Sequence, residues 1–206
     1  MSVMGKTITC SRYFGRRIKV EAMASSHDPS QADSLDARLD ALEDRIARSE
    51  ARLAAAEDEL AILRILGAYS PRVDSGDAEG VAGLWTEDGV YDVDTGRLDG
   101  HAGLVDMVTG DAHQGLIAHG CGHVPSLPVV LLDGDRAVAT GYTQLIVRSS
   151  KPGRYTVLRV TASRWELERR GDVDAPDRGW RVVLRTARAV TDDGEGRALL
   201  GRSREV

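Results

Sequence analysis

The sequence is short of several features, and each shortage excludes a class of protein. Only two cysteines, Cys10 and Cys121, occur in 206 residues, which is too few for a disulfide framework. No apolar run reaches the roughly 20 residues that a membrane-spanning helix needs, and the first thirty residues lack the apolar centre of a secretory signal. The sequence therefore predicts a cytoplasmic protein with reduced thiols and no membrane partner.

The sequence also lacks an excess of positive charge, with 27 Lys and Arg against 32 Asp and Glu. The formal net charge is −5, and only the segment 11–19, SRYFGRRIK, is clearly basic. A nucleic-acid-binding surface neutralises rows of phosphates with Lys and Arg, so the composition argues against a nucleic-acid partner. The length fits one soluble domain with an extension.

The extension has two parts. Residues 1–31 show no sustained periodicity, which predicts a disordered tail in which Met23 is an alternative start, and residues 201–206 form a short tail at the other end. Residues 32–57 predict a heptad helix, because apolar positions recur in alternating steps of three and four and only Ser49 interrupts them. These positions are Leu35, Leu39, Leu42, Ile46, Leu53, Ala56, Leu60 and Leu63. Two hypotheses fit equally: a coiled coil that joins two or three copies, or an amphipathic helix that packs on its own domain.

Residues 58–200 predict one mixed domain. It opens with a helix whose apolar stripe ends in Val73 and Asp74 before Gly76 breaks it. Turn sequences at 133–135 and 151–153 separate strands that follow one another as a meander. The remaining predicted elements are helices at 78–84 and 104–110, a strand at 90–93, a turn at 96–100, and strands at 117–132, 136–149, 154–169 and 179–190.

Asp74 is the first candidate for chemistry, because burial among apolar residues tunes the pKa of a carboxylate that acts as an acid or base. The alternative is a cap or turn acid before Gly76, since VDSGD is also an ordinary helix-end sequence. A second candidate is the segment 117–124, IAHGCGHV, where His119, Cys121 and His123 share one face if the chain is extended. Zinc accepts such ligands, yet the paired spacing of zinc sites is missing, so we predict no metal. His123 is the stronger candidate for proton transfer. His101 and His113 are predicted at the surface.

Several short segments, in this order, resemble one known family. They are the helix with Tyr69 and Asp74, TEDGVYD at 86–92, LDGDRAVA at 132–139, ASRWELER at 162–169 and GWRVVLRTAR at 179–188. The order is similar to that of the SnoaL-like branch of the nuclear-transport-factor-2-like superfamily. The resemblance implies an α+β fold in which a curved antiparallel sheet wraps around about three helices as a cone, a cystatin-like α+β barrel. It leaves the reaction open.

The resemblance also implies site residues. Asp74 matches the Asp that supports the catalytic His of scytalone dehydratase, and His123 matches a pocket His of that enzyme. Tyr69 matches the oxyanion-binding Tyr of ketosteroid isomerase. The central catalytic His of the dehydratase is replaced by Thr143, so a partner for Asp74 is expected to be missing. The basic Asp and the oxyanion-binding acid of the isomerase align with Val93 and Thr161, so that catalytic set is incomplete too.

Two functional hypotheses follow. The first is a cofactor-independent isomerase, cyclase or dehydratase that acts on an apolar or polyketide-like molecule, with Asp74 and His123 exchanging a proton. In it Tyr69 and Tyr91 polarise a substrate oxygen. The candidate ligand-binding residues are Tyr69, Tyr91, Thr143, His119 and Trp85. Of the alternating Arg residues in the last two strands, Arg159 or Arg185 binds an acidic ligand if its face is the concave one. The second hypothesis is a ligand-binding or assembly protein without catalysis.

Overall fold

The computed structural model describes residues 29–192 and 194–201, in two compact units that divide between Ile46 and Ala47. Residues 1–28 and 202–206 lie outside the described part of the chain, and with them most of both predicted tails and Cys10. Residues 29–31 belong to the first helix. Among the described residues, no helix is both long and apolar enough to cross a membrane.

The first helix, α1, runs over Pro29–Ser75 and so includes both the predicted heptad segment and the predicted domain helix. In the first unit the described residues, 29–46, are all helical. The second unit contains the rest of α1 and every other described element. These elements are α2 (Ala78–Ala82), β1 (Trp85–Val93), β2 (Gly96–Asp99), α3 (Gly100–Thr109), α4 (Asp111–His119), β3 (Cys121–Pro125), β4 (Val129–Asp133), β5 (Arg136–Arg148), β6 (Tyr155–Arg169), β7 (Trp180–Ala189) and α5 (Glu195–Gly201).

Two sequence-based predictions are wrong in this unit. The predicted strand at 117–132 is in fact the end of α4 followed by two separate short strands. Gly120, at φ 96°, ends the helix by adopting a conformation that other residues avoid. The predicted turn at 96–100 is the strand β2, which pairs with β1.

The seven strands form one sheet in the order β2-β1-β7-β6-β5-β3, with β4 also paired to β5. Pairing is antiparallel except between β1 and β7, which run parallel. Register shifts in the β5–β6 and β6–β7 ladders are the irregularities that bend a sheet. The predicted meander is present as β5, β6 and β7, and the predicted α+β class with a curved, mainly antiparallel sheet is confirmed.

The core lies between the helices and one face of this sheet. From α1, buried Ile62, Ile65, Tyr69 and Val73 repeat at helical spacing. They belong to one cluster with residues of the sheet and of α3, which include Trp85, Leu104, Val108, Trp165, Leu167, Trp180 and Val182. Full burial of each large apolar side chain contributes about 1.5–3 kcal/mol, so this contact fixes the C-terminal part of α1 on the sheet.

A buried carboxylate on α1 also forms hydrogen bonds and ion pairs with the sheet. Asp58 is only 8% exposed and accepts hydrogen bonds from Arg169 Nη2 at 2.9 Å, Arg178 Nε at 2.7 Å and Trp180 Nε1 at 3.0 Å. Burial raises the pKa of Asp58, but these donors outweigh burial and lower the pKa to about 2. Asp58 is therefore ionised at neutral pH and joins α1 to β6, β7 and the loop between them.

Candidate functional site

The end of α1 presents Asp74 to the neighbouring strand β3. The carboxylate accepts two hydrogen bonds from one residue: His123 donates its backbone N–H to Oδ2 at 2.7 Å, and its ring Nδ1 lies 2.6 Å from Oδ1. Gly76, at φ 75°, ends the helix directly afterwards, and Asp77 caps the next helix by accepting from the N–H of Gly80 at 2.9 Å. The local sequence thus fixes the carboxylate at a helix end, against the edge of the sheet.

The contact with Asp74 determines which ring nitrogen of His123 carries the proton. A carboxylate only accepts hydrogen bonds, so Nδ1 carries the proton and Nε2 is the basic nitrogen. Burial lowers the pKa of the His123 imidazole, and the charge of Arg185 and neighbouring His113 lower it further, while Asp74 opposes them. The net lowering keeps the ring neutral at neutral pH, which is the form that accepts a proton.

The structure corrects the expectation that Asp74 lacks a histidine partner. Thr143 does occupy the position on β5 where the dehydratase pattern has its central His, but His123 supplies the imidazole from the next strand. In the β3–β5 ladder His123 pairs with Leu145, two residues from Thr143. Directly paired residues of an antiparallel ladder share a face, so His123 and Thr143 lie on the same side of the sheet.

A second imidazole stands beside the pair. The ring of His113, from α4, is stacked on that of His123 with centroids 6.1 Å apart, and its Nε2 lies 3.0 Å from the carbonyl oxygen of Val73. The prediction of His113 at the surface is wrong, since the side chain is half-buried. This contact depends on α4, a helix that the sequence pattern does not indicate.

A cavity of about 260 Å³ opens beside His123. Of the predicted ligand-binding residues, Tyr69, Tyr91 and Thr143 line it. The other lining residues are Val93, Thr95, Gly96, Leu98, Met107, Leu145, Arg159, Thr161 and Arg185. The wall therefore combines apolar side chains with hydroxyls, one imidazole and two guanidinium groups. Val93 and Thr161, which align with the two acids of ketosteroid isomerase, are wall residues that offer no carboxylate.

Arg185 is the most unusual member of this wall. It is 3% exposed, and its guanidinium carbon lies 4.6 Å from the ring centre of Tyr69, 4.5 Å from that of Tyr91 and 4.2 Å from that of Trp165. Nη2 donates to Ser163 Oγ at 3.2 Å. Three aromatic faces stabilise the cation, and the buried Nε and Nη1 are left without a hydrogen-bond partner among the described residues.

Tyr69 lies against the same group. Burial raises the pKa of its hydroxyl well above the ordinary tyrosine value, Tyr91 raises it further and the charge of Arg185 opposes both. Tyr69 is therefore a neutral hydrogen-bond donor at any physiological pH. Its ring meets Trp85 and Trp165 edge to face, with centroids at 5.5 and 5.3 Å, which holds it rigidly.

Two predicted ligand-binding residues lie elsewhere. His119 ends α4 on the exposed side, with Nε2 2.8 Å from the carbonyl oxygen of Arg148, so it does not share a strand face with His123. Trp85 is 2% exposed and packs behind Tyr69, where it supports the cavity wall from outside.

The structure also shows which side chains of β1 and of the last two strands face the cavity, which the sequence alone does not determine. Tyr91 faces the cavity, whereas Asp92 points away and pairs with Arg188 Nη2 at 2.9 Å. Arg159 reaches the cavity wall but is paired with Asp94. Of the two Arg residues suggested for an acidic ligand, Arg185 is the one with buried, unpaired donors.

Cys121 has a free thiol on the edge of the site. Its Sγ lies 3.8 Å from Asp74 Oδ1, and burial, together with that carboxylate, raises the pKa of the thiol. Within residues 29–192 and 194–201, no group of three or more His, Cys, Asp or Glu side chains is arranged to hold a metal ion.

A second groove, of about 270 Å³, adjoins the first at Tyr69 and Thr143. It lies between α1 and the loop that joins β3 to β4, where Leu66 and Leu127 are among its apolar residues. Its lining residues include neither an imidazole nor a carboxylate. The chemistry of the Asp74–His123 pair therefore belongs to the cavity at His123.

Comparison with known proteins agrees with this fold. Residues 54–186 match the family model of the SnoaL-like domain, which is more than half of the chain. The chain belongs to the SnoaL-like family, and the resemblance seen in the sequence is confirmed. No similar sequence was found among curated proteins.

Solved structures show the same architecture. An NTF2-like protein with a cystatin-like fold from Novosphingobium aromaticivorans is 34% identical, with a TM-score of 0.69 over 75% of this chain and 96% of that one. The hexachlorocyclohexane dehydrochlorinase LinA-type3 from Novosphingobium barchaimii is 18% identical, with a TM-score of 0.56 over 68% and 91%. ActVI-ORFA from Streptomyces coelicolor is also 18% identical, with a TM-score of 0.54 over 63% and 95%. The last two share the fold alone.

Proposed function

We propose that the protein is a cofactor-independent acid–base enzyme, an isomerase, cyclase or dehydratase, in which His123 is the general base. The observation that carries the proposal is the Asp74–His123 pair at the wall of a cavity that also contains Arg185. A general base contributes typically 10²–10⁴-fold to a rate. The dehydrochlorinase named above, whose fold is similar, supports elimination as one form of the reaction.

The proposed step begins with a substrate that has a C–H bond next to a carbonyl group. His123 Nε2 takes the proton, the C–H electron pair forms a carbon–carbon double bond, and the carbonyl electrons move to oxygen as an enolate. Asp74 stabilises the imidazolium through Nδ1, and Arg185 with Tyr91 stabilises the enolate oxygen. If the substrate also has a β,γ double bond, the enolate is a dienolate and the imidazolium returns its proton to the γ-carbon, which is isomerisation. If the β-carbon carries a hydroxyl, the enolate electrons re-form the carbonyl, the α,β double bond forms as the C–O bond breaks, and the imidazolium protonates the departing hydroxyl to water, which is dehydration.

The size of the cavity limits the substrate class. A cavity of about 150 Å³ holds a benzene-sized molecule, so about 260 Å³ accommodates one substituted ring or a small bicyclic compound. We therefore propose a single-ring or two-ring ketone, or a polyketide fragment of that size.

We also infer a cytoplasmic location, in which the Cys121 thiol stays reduced. Cell fractionation of the tagged chain tests this.

Deuterium exchange tests the proton transfer directly. Cyclohexanone, 3-hydroxycyclohexanone and α-tetralone are incubated with the protein in D2O, and proton NMR follows the loss of the α-hydrogen signal and the appearance of the dehydrated ketone. We expect Asp74→Asn and His123→Ala to slow exchange by 10²–10⁴-fold, because the first loses the anionic partner and the second the base. His119→Ala is the matched control, since that imidazole lies outside the cavity.

Unchanged exchange in both variants would refute the proposal. If the ketones still shift the melting temperature of the protein under those conditions, the cavity binds ligands without catalysis, which is the alternative that the sequence left open.

A further inference from the structure

One side of the N-terminal part of α1 is apolar and exposed. Leu35, Leu39, Leu42, Ile46, Leu53 and Leu60 are each 46–60% exposed. They follow the alternating three- and four-residue steps that place them at positions a and d of a heptad, with Ser49, Ala56 and Leu63 completing the series. We refer to these nine positions as the seam. Large apolar side chains in such a continuous row mark a surface that binds another protein.

Within the second unit, Leu53, Ala56 and Leu60 of the seam are exposed and do not pack on the domain, whereas Leu63 is half-buried and borders the groove beside α1. Where α1 passes along the second unit, the residues buried against the domain are Asp58, Ala61, Ile62 and Ile65. In the heptad register these are positions f, b, c and f, on the side opposite a and d. The hypothesis that the amphipathic helix packs its apolar face on its own domain therefore does not account for Leu53 and Leu60, which remain exposed on the other side.

The charges beside the seam identify its partner. At the first three e positions after Leu35 the residues are Asp36, Glu43 and Glu50, and at the corresponding g positions they are Arg38, Arg45 and Arg52. Acid thus occupies one flank and Arg the other. In a parallel coiled coil a g residue of one helix meets the following e residue of its partner, so Arg38 meets Glu43 and Arg45 meets Glu50. Arg52 would meet Glu57, which in its own chain also pairs with Arg178 Nη1 at 3.0 Å.

The opposite orientation creates repulsion. In an antiparallel pair, e residues face e residues and g residues face g residues, so acids would meet acids and Arg would meet Arg. Like charges at such positions destabilise the pair. The stripe is also narrow, because apolar residues occupy a and d while charge occupies both flanks, and one partner helix is enough to cover it.

We propose that the seam binds a second copy of this chain, in register, as a parallel two-stranded coiled coil. The proposal is independent of the chemistry at His123. It selects one of the two hypotheses that the heptad spacing leaves open, and it adds the orientation and the number of chains.

Charge reversal on the full-length protein tests the orientation. In Arg45→Glu, two attractive contacts per dimer become repulsive, and we expect the dissociation constant measured by analytical ultracentrifugation to rise about tenfold. The second change Glu50→Arg, added to Arg45→Glu, restores attraction and should return the dissociation constant to its original value. Arg48→Glu is the matched control, because the same change of charge at position c lies away from the partner helix.

Disulfide trapping tests the register. In a Cys10→Ser, Cys121→Ser background, Leu35→Cys places a thiol at the first d position, where two parallel chains in register bring the pair together. Mild oxidation should cross-link this variant, whereas the control Ala37→Cys, at the outward position f, should not cross-link. An antiparallel pair with Leu35 facing Leu53 or Leu60 would hold the two thiols at least 18 residues apart along the helix, about 27 Å.

Several results would overturn the proposal. A mass of one or of three chains in ultracentrifugation contradicts the dimer, and an Arg45→Glu variant that associates as well as the original, or better, contradicts the parallel orientation. Failure of Leu35→Cys to cross-link while the reduced variant remains dimeric contradicts the register.

Discussion

The contact of Asp58 with two guanidinium groups and one indole gives a stability prediction that does not require a substrate. Asp58→Asn keeps the size of the side chain and one oxygen that accepts from Trp180, but it removes the charge. Arg169 and Arg178 then remain largely buried, at 15% and 20% side-chain exposure, without a full counter-charge. The variant thus reproduces the protonated form of Asp58 at neutral pH.

The magnitude follows from the lowered pKa. Lowering it from 3.8 to about 2 means that ionised Asp58 stabilises the folded state by about 2 kcal/mol at pH 7. Because the folded pKa lies below the unfolded one, this contribution is complete above pH 4 and is lost as the pH falls through about 2. It should be about half its full size near pH 3.

Urea unfolding followed by tryptophan fluorescence at pH 7 and pH 3 measures this contribution. We expect Asp58→Asn to lower the free energy of unfolding by about 2 kcal/mol at pH 7 and by about half as much at pH 3. Glu57→Gln is the control, because that exposed partner of Arg178 contributes less than about 1 kcal/mol. A difference below about 0.5 kcal/mol at pH 7, or one of equal size at both values, would refute the reasoning.

Three further predictions concern the site. The pKa of the His123 ring, measured by NMR titration, should lie below the ordinary histidine value. Exchange activity should therefore persist on the acid side of neutrality and fail only when the ring becomes protonated; loss of activity at the pH where an ordinary histidine titrates would contradict this. Arg185→Met should raise that pKa, because it removes a nearby positive charge, and should slow exchange about 10²–10³-fold; a lowered pKa would show that the two groups do not interact. Asp74→Asn in a Cys10→Ser background should speed alkylation of Cys121 at pH 8, since that carboxylate helps to raise the thiol pKa; an unchanged rate would place the carboxylate elsewhere.

Where the sequence predicted the fold well, local signals agreed with each other. The strands at 136–149, 154–169 and 179–190 match β5, β6 and β7 within a few residues, because tight turns and alternating side chains mark both ends of each. The segment 111–120 offers no such agreement. Its sequence DAHQGLIAHG contains two glycines and a short apolar run, and only the packed fold decides that it is a helix.

The site shows the same limit. Asp74 was detectable as an acid that continues an apolar stripe, and His123 as an imidazole near it in the family pattern. Proton exchange between them was a hypothesis from the sequence, but their direct contact depends on which strand lies beside the end of α1, and the family pattern pointed to β5 at Thr143 for the partner of Asp74. Arg185 was one of several alternating Arg residues. Its distinction comes from three aromatic rings that surround it in space, which are contributed by α1, β1 and β6.

The charges of the cavity favour catalysis over a purely structural role for Arg185. A buried guanidinium with two unpaired nitrogens costs stability, and an apolar side chain of similar volume would fill the same space without that cost. In the proposed step the cost is recovered at the transition state. Proton transfer places a positive charge on His123 beside Asp74 and a negative charge on the substrate oxygen beside Arg185, so each new charge forms beside an opposite one. Before transfer, burial lowers the pKa of His123 and the charge of Arg185 lowers it further, so the base is neutral when the substrate enters.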